Sequence, residues 1–174
     1  PWNCHGQLNL YLYFCSRMPA SRSASAWLRK AAPAVCRAGE FQFAPAHTML
    51  NGCVQSRGLF WCKSGRGTFR VNNQSYSLEP HDLYILPWNR RIEYFASDRE
   101  PMFTAHVHLV PWMRPGSRWV ANVPHERGEP GFDSPDRTDV AMPGLEGVVR
   151  YRLETEGPLA RLINYTTSWF RESA

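Results

Sequence analysis

Short segments of alternating apolar and polar residues, separated by turn residues roughly every eight to twelve positions, run through residues 35–123. The clearest pair is RGTFRV and QSYSL, which are joined by Asn72 and Asn73. Asparagine tolerates the positive φ that a tight turn needs, so this stretch is a predicted β-hairpin. Its alternation puts Phe69 and Val71 on one face. The pattern as a whole predicts a mainly β domain, an antiparallel sandwich or barrel.

Three more strand-like segments follow the hairpin. They are DLYIL at 82–86, RIEYF at 91–95 and MFTAHVHLV at 102–110. Pro87 and Pro111 bound two of them, and proline is typical of strand ends because it cannot donate a backbone hydrogen bond. We therefore predict that these segments continue the same β domain.

The segment 102–110 has two unlike faces if it is a strand, because side chains alternate between the faces of a sheet. One face carries Thr104, His106 and His108. The opposite face carries Phe103, Ala105, Val107 and Leu109. We expect the apolar face to pack outward beneath flanking elements, which leaves the polar trio pointing into the lumen. Unpaired imidazoles there would need water or a ligand.

The segments before and after the β domain have different sequence patterns. Residues 1–34 are expected to form an arm, residues 124–157 are rich in proline, glycine and charge as loops are, and a helix is predicted within 158–174. The apolar stripe of that helix consists of Leu159, Leu162, Ile163 and Phe170. It can pack on its own barrel or pair with a second subunit. We predict a homodimer that uses it.

Charge and cysteine content exclude several classes. The 174-residue chain carries a formal charge of +5, but its arginines are scattered and no recognition-helix pattern accompanies them, so we predict no sequence-specific DNA binding by this chain alone. Its five cysteines include no C-x-x-C pair, which argues against disulfides and structural zinc and favours a reducing, cytoplasmic setting. No apolar run approaches the roughly 18 residues of a membrane span.

Motifs for catalysis are missing as well. The sequence has no G-x-S-x-G element and no glycine-rich nucleotide-binding motif. We therefore predict no catalytic residues, no cofactor and no nucleotide, and we expect a binding protein and not an enzyme.

Residues 64–88, SGRGTFRVNNQSYSLEPHDLYILPW, carry a family resemblance. The segment resembles the central hairpins of the sugar-sensing cupin domains of AraC-type transcription regulators, which have a G-x-G turn, a hairpin, a Pro-Gly-Asp corner, an apolar strand and a proline. The matching residues are Gly65, Gly67, Pro80, Asp82 and Pro87. His81 replaces the corner glycine, so either this position does not need positive φ or the corner is remodelled. Residues 99–111 look like the next barrel strand of these domains.

The resemblance implies a fold and a role. The fold is a cupin-like double-stranded β-helix, or jelly-roll barrel, over 35–123, with an N-terminal arm and a C-terminal helix. The role is to bind a small effector, such as a sugar, in the barrel and to dimerise, while DNA is bound by a C-terminal helix-turn-helix domain that this chain lacks. The alternatives are a metal-dependent cupin enzyme and a stand-alone carbohydrate-binding module.

The metal ligands of enzymatic cupins have no counterpart at the matching positions. Those positions hold Gly52, Val54, Leu59 and Ile92. Such an enzyme would have to use His106 and His108, with His81 or Glu93. We therefore predict no bound metal.

Aromatic and hydrogen-bonding side chains are the expected ligand contacts, because a sugar has apolar C–H faces and a rim of hydroxyls. By resemblance, Tyr94, Thr104 and His106 fall where an arabinose-sensing member of the family places its ligand contacts. His108 shares their strand face. The other candidates are Trp88, Tyr84, Tyr76 and Phe69. The alternative for the aromatic residues is that half of them only fill the barrel.

Overall fold

The computed structural model describes residues 34–117, 122–139 and 146–172. Apart from Ala34, the predicted N-terminal arm lies outside the described residues. Within them the chain forms strands and one helix. The strands are β1 (Ala34–Gln42), β2 (Thr48–Val54), β3 (Arg57–Ser64), β4 (Gly67–Val71), β5 (Gln74–Leu78), β6 (Asp82–Leu86), β7 (Arg90–Ala96), β8 (Phe103–Val110), β9 (Trp112–Met113), β10 (Arg137–Thr138) and β11 (Val149–Arg152). The helix, α1, is Pro158–Glu172.

Two antiparallel sheets make up the body of the protein. One has the strand order β1-β8-β3-β6-β11 and the other has the order β2-β7-β4-β5. A separate pair, β9 and β10, lies beside them. The predicted mainly β class is confirmed: the described residues form antiparallel sheets and one C-terminal helix.

Two hydrophobic clusters lie on opposite sides of the five-stranded sheet. The inner cluster joins residues of both sheets, among them Phe60, Phe69 and Ile92. The outer cluster joins the other face of the five-stranded sheet to α1, with Val107 and Leu159 among its members. Alternation along each central strand supplies both clusters, because successive side chains point to opposite faces. The molecule therefore has three layers.

The predicted hairpin is present as β4 and β5. Asn72 and Asn73 have φ values of 47° and 72°, as a two-residue turn requires. Phe69 and Val71 are buried on the inner face. The register pairs Phe69 with Tyr76 across the hairpin.

The corner before β6 contradicts the expectation that the position of His81 does not need a positive φ. This residue has a φ of 75°, so the position does need the left-handed conformation that glycine adopts readily, and histidine adopts it here. Backbone hydrogen bonds hold it: the His81 N–H donates to Cys62 O (2.8 Å), and Leu153 N–H donates to His81 O (2.8 Å). The Asp82 carboxylate accepts from Glu79 N–H (3.0 Å) and pairs with Arg150 (2.8 Å). These contacts hold histidine at a position with a left-handed φ.

Residues 124–157, expected to be a loop-rich connection, also contribute sheet structure. Strand β11 adds to the edge of the five-stranded sheet by pairing with β6, with Arg150 opposite Tyr84. Its four residues, VRYR, are too short and too polar to have stood out from the surrounding loop pattern.

The apolar stripe of α1 faces the protein's own sheet. Leu159 and Ile163 are buried in the outer cluster, and Leu162 and Phe170 are partly buried against it. The bare apolar face of the sheet is the nearest surface on which an amphipathic helix can bury its stripe. The dimer interface expected at these four residues stays a prediction, and Leu162 and Phe170 are the two that keep exposed surface. No helix in the described parts of the chain is long and apolar enough to cross a bilayer.

Candidate ligand-binding cavity

A cavity of about 390 Å³ lies on the inner side of the five-stranded sheet. Its polar wall comes mainly from β7, β8 and the loop that carries His125. The lining residues are Arg37, Phe41, Phe43, Met49, Asn51, Val54, Gly58, Leu59, Phe60, Leu86, Arg90, Tyr94, Thr104, His106, Val107, His108, His125 and Glu129. The volume falls within the range of small-molecule pockets.

Strand β8 supplies the polar trio that the alternation pattern predicts. Thr104, His106 and His108 all line the cavity. The intervening side chains lie in the outer cluster beneath α1, as expected; they are Ala105, Val107 and Leu109. The Thr104 hydroxyl donates to Phe41 O (3.3 Å), and His108 Nδ1 lies 2.7 Å from Ser56 Oγ.

Three imidazoles lie side by side in the cavity wall. The His106 and His108 rings are 5.5 Å apart, and the His108 and His125 rings are 5.7 Å apart, centroid to centroid. Burial, together with the positive charge of Arg37, lowers the pKa of His106 to about 4. Burial also lowers the pKa of His108 and of His125. All three rings are therefore neutral at pH 7, where each offers one donor and one acceptor nitrogen.

Strand β7 brings Arg90 and Tyr94 to the same cavity. Both are buried, and their side chains share the inner face with Ile92 because the three alternate along the strand. Burial raises the pKa of Tyr94 to about 12, so its hydroxyl stays protonated. Burial lowers the pKa of Arg90 to about 10, which still leaves the guanidinium charged at neutral pH.

Four of the predicted ligand contacts are not among the cavity-lining residues. Phe69 stacks on Tyr76 (5.2 Å) and meets Tyr84 edge-on (4.7 Å), which fills one end of the space between the sheets. The Tyr84 hydroxyl donates to Ser77 O (2.6 Å), and Trp88 packs against the inner cluster. Their placement supports the alternative that these aromatic residues fill the interior.

The structure also brings in residues that the sequence analysis missed. Arg90 could have been found, since it precedes Ile92 and Tyr94 at the same two-residue spacing. His125 and Glu129 come from a loop, where no periodic pattern indicates direction. The Glu129 carboxylate accepts from the His125 backbone N–H (2.7 Å).

Side chains that could bind a metal ion are not grouped together in the described ranges. Among residues 34–117, 122–139 and 146–172, no group of three or more His, Cys, Asp or Glu side chains is placed to hold a metal ion. The cavity instead offers hydrogen bonds, one buried cation and apolar surface.

The fold and cavity together define a class: an antiparallel β domain with a small-molecule-sized cavity next to the inner sheet face. No protein-family model and no curated protein matches the sequence. Structures of ToxT from Vibrio cholerae, an AraC-family regulator, are similar to parts of the chain.

Three ToxT structures illustrate the extent of that similarity. The structure with (E)-4-(8-methylnaphthalen-1-yl)but-3-enoic acid is 13% identical over 78% of this chain, with a TM-score of 0.45. The structure with an unsaturated fatty acid is 12% identical over 78%, with a TM-score of 0.42. A third is 19% identical over 41%, with a TM-score of 0.36. The matches span 48%, 53% and 29% of those chains. Since all three TM-scores are below 0.5, we base the function on the sequence and the cavity.

Proposed function

We propose that this chain is the small-molecule-sensing domain of an AraC-type transcription regulator and that its effector binds in the cavity. The observation that carries the proposal is the inward face of β8, where Thr104, His106 and His108 line a cavity beside Arg90 and His125. Buried polar groups of this kind are costly unless water or a ligand satisfies them. Thr104 and His108 already bond to Phe41 O and Ser56 Oγ, and a binding role gives the ring of His106 a partner as well.

The backbone of the segment that resembles AraC-type regulators supports this proposal. Gly65 has a φ of 73°, and a Cβ on Gly67 would lie 2.7 Å from Phe95 O, so both glycines of the G-x-G turn are needed where they stand. His81 has a φ of 75°, a conformation that glycine adopts readily. These features support the resemblance at the level of local structure.

The position of β8 suggests how binding would be communicated. His106 faces the cavity, while its neighbours Ala105 and Val107 pack under α1, against the cluster that holds Leu159 and Ile163. A ligand that shifts β8 would therefore shift the surface on which the helix rests. Binding energy that differs between two helix positions is what an effector needs to change a regulator's state.

The finer parts of the proposal follow from the family resemblance. The effector is sugar-like or another small molecule, held by Tyr94, Thr104, His106 and His108, and DNA is bound only through a domain outside this chain. A homodimer that uses α1 remains a prediction, with the partly exposed Leu162 and Phe170 as its contacts. A regulator acts where the chromosome is, so the proposal implies a cytoplasmic protein.

A reporter experiment tests the sensing role. The domain, fused to a heterologous helix-turn-helix module, should change transcription from that module's operator when a cavity ligand is added. Ligands come from a thermal-shift screen of sugars and small organic acids. His106→Ala should weaken the affinity of such a ligand by about 1–3 kcal/mol through the loss of a buried hydrogen bond.

The matched control is Thr68→Ala, on the exposed outer face of β4, which should leave affinity unchanged. A fusion that responds to no cavity ligand would contradict the sensing role. Unchanged affinity in the His106→Ala protein would show that β8 does not form the site.

The metal-dependent enzyme is the main competing class, because three imidazoles do lie close together. Elemental analysis of the purified protein separates the two readings. Stoichiometric iron, manganese or zinc that disappears in a His106→Ala, His125→Ala double variant would favour the enzyme.

A further inference from the structure

Arg90 is a charged side chain inside the β-sandwich. Its residue is 1% exposed, and it is among the largest fully buried side chains of the described chain. Its neighbour Arg91 points outward, where it pairs with Glu93 (2.6 Å) and keeps 48% of its side chain exposed. Removing a charge from water is costly unless the fold supplies a partner. Arg90 therefore needs a group that compensates its buried charge.

The fold does not supply a carboxylate to Arg90 within the described residues. Its Nη1 donates to the carbonyl oxygens of Ser56 and Pro87, and its Nε has no hydrogen-bond partner there. The other buried arginine, Arg57, is 5% exposed and is bound by both oxygens of Asp139 (2.8 and 3.1 Å). One buried guanidinium is neutralised by the protein and the other is not.

The backbone of β3 makes room for this guanidinium beside the cavity. A Cβ on Gly58 would lie 2.8 Å from Arg90 Nη2 and 3.4 Å from its Cζ. Gly58 pairs with His108 on one side and Leu86 on the other, in the middle of the sheet, where a side chain would otherwise pack. Glycine weakens a strand interior and often marks a close approach. Here it lets the guanidinium form part of the cavity wall.

The other charges of the cavity leave it positive. Arg37 also lines it, and Glu129 is the one acidic side chain among its described lining residues. Glu129 already accepts a hydrogen bond from the His125 backbone. The three imidazoles are neutral, so they can donate to an anion without adding a fixed charge.

Resting on the proposed sensing function, we propose that the effector is an organic acid whose carboxylate binds Arg90. A carboxylate matches the planar fork of a guanidinium and forms stronger hydrogen bonds to it than a neutral group does. The buried Nε–H has no hydrogen-bond partner in the described residues, and it is the donor that we assign to one carboxylate oxygen. The imidazoles and Thr104 remain for hydroxyl or carbonyl groups, and Phe43 and Phe60 provide apolar surface for the body of the ligand. The site thus favours an acid over a neutral molecule of the same shape.

Matched pairs of probes test the charge requirement. The pairs are benzoate with benzamide, 4-phenylbutanoate with 4-phenylbutanamide, and D-glucuronate with D-glucose, each at constant ionic strength. Thermal melting identifies the probe pairs whose shared scaffold fits the cavity, and calorimetry measures the affinity of each member. In the unsubstituted protein the best-fitting acid should bind roughly tenfold to a hundredfold more tightly than its neutral partner.

Substitutions locate the effect. Arg90→Met should remove the preference for the acid, and Arg91→Met, which deletes an exposed charge from the same strand, should keep it. If Arg90→Met does not fold, Gly58→Ala decides in its place, since the added methyl group would displace the guanidinium and should also abolish the preference.

Each outcome bears on one claim. Equal binding of acid and neutral partners, or binding by neither member of any pair, overturns the carboxylate site, as does a preference that survives in Arg90→Met. Neutral ligands that bind and drive the reporter would leave the sensing function in place without the carboxylate. Acids that bind through Arg90 while the reporter stays silent would leave the carboxylate site and remove the sensing function.

Discussion

The interior next to the five-stranded sheet has two regions with opposite contents. In one region Phe69, Tyr76 and Tyr84 pack ring against ring, with centroids 4.7–6.0 Å apart. In the other, a cavity of about 390 Å³ is lined by Arg90 and by the imidazoles of β8. Phe60 lies between the two, since it contacts Phe69 on one side and Tyr94 on the other.

The difference shows how one sheet can support both stability and binding. The aromatic region buries large apolar surfaces, which stabilise the fold. The cavity region contains groups that cost free energy when buried. The fold tolerates this cost because the aromatic region and the outer cluster stabilise it. Residues of one type therefore have different roles according to the region in which they lie.

The largest expected effect is a difference between the two regions in how much a substitution lowers the free energy of unfolding. Phe69→Ala should lower the free energy of unfolding by about 3–5 kcal/mol, because it deletes a fully buried ring from a packed cluster. His106→Ala should cost far less, since its ring borders a cavity. Urea unfolding of both variants at pH 7 measures this. Equal losses would mean that the cavity region is as tightly packed as the aromatic one.

A smaller effect concerns pH and arises from the cavity region alone. The pKa of His106 is about 4 in the folded protein and about 6.5 in an unfolded chain. Because the folded value is lower, the unfolded state binds more protons below about pH 6.5, and stability falls as the pH is lowered toward 4. His106 alone should contribute a loss of about 2 kcal/mol between pH 7 and pH 5.

The lowered pKa values of His108 and His125 add to this loss in the same direction. Burial is the first cause for each, and Arg37 and Arg90 add positive charge nearby. Urea midpoints at the two pH values should differ less in a His106→Gln variant than in the unsubstituted protein. An unchanged pH dependence would contradict a buried, neutral His106.

The smallest effect tests the corner next to the aromatic region. His81 holds a φ of 75°, which is strained for any residue with a Cβ. His81→Gly should relieve that strain and stabilise the protein by up to about 1 kcal/mol, offset in part by the greater freedom of glycine in the unfolded chain. His81→Val, which is β-branched, should destabilise it. Thermal melting of the two variants gives the sign, and a stabilising valine would be inconsistent with the strain.

Much of the fold follows from alternation in the sequence. The hairpin at Asn72 and Asn73 and the two faces of β8 were predicted correctly, because strand geometry fixes the direction of every second side chain. Alternation does not say how far along the sheet a residue lies. Tyr94 and Tyr84 both point inward, yet only Tyr94 reaches the cavity.

Two other features depended on tertiary context. The stripe of α1 has the same appearance whether it packs on its own sheet or on a second subunit, and only the folded chain shows Leu159 and Ile163 buried against the apolar face of β8. Arg90 looks like an ordinary surface arginine beside Arg91 until the register of β7 places it on the inner face. The alternation used for β8, applied to β7, would have placed Arg90 and Arg91 on opposite faces of the sheet.

The spectrum of the histidine rings tests the central claim most directly. In protein carrying ¹³C-labelled histidine, the ring signals of His106, His108 and His125 should move together when 4-phenylbutanoate is added. The signal of His81, at a corner outside the cavity lining, should stay in place. Movement of the three cavity rings would confirm that the cavity is the binding site. Binding by calorimetry with no change at those rings, or with a change at His81 alone, would contradict it.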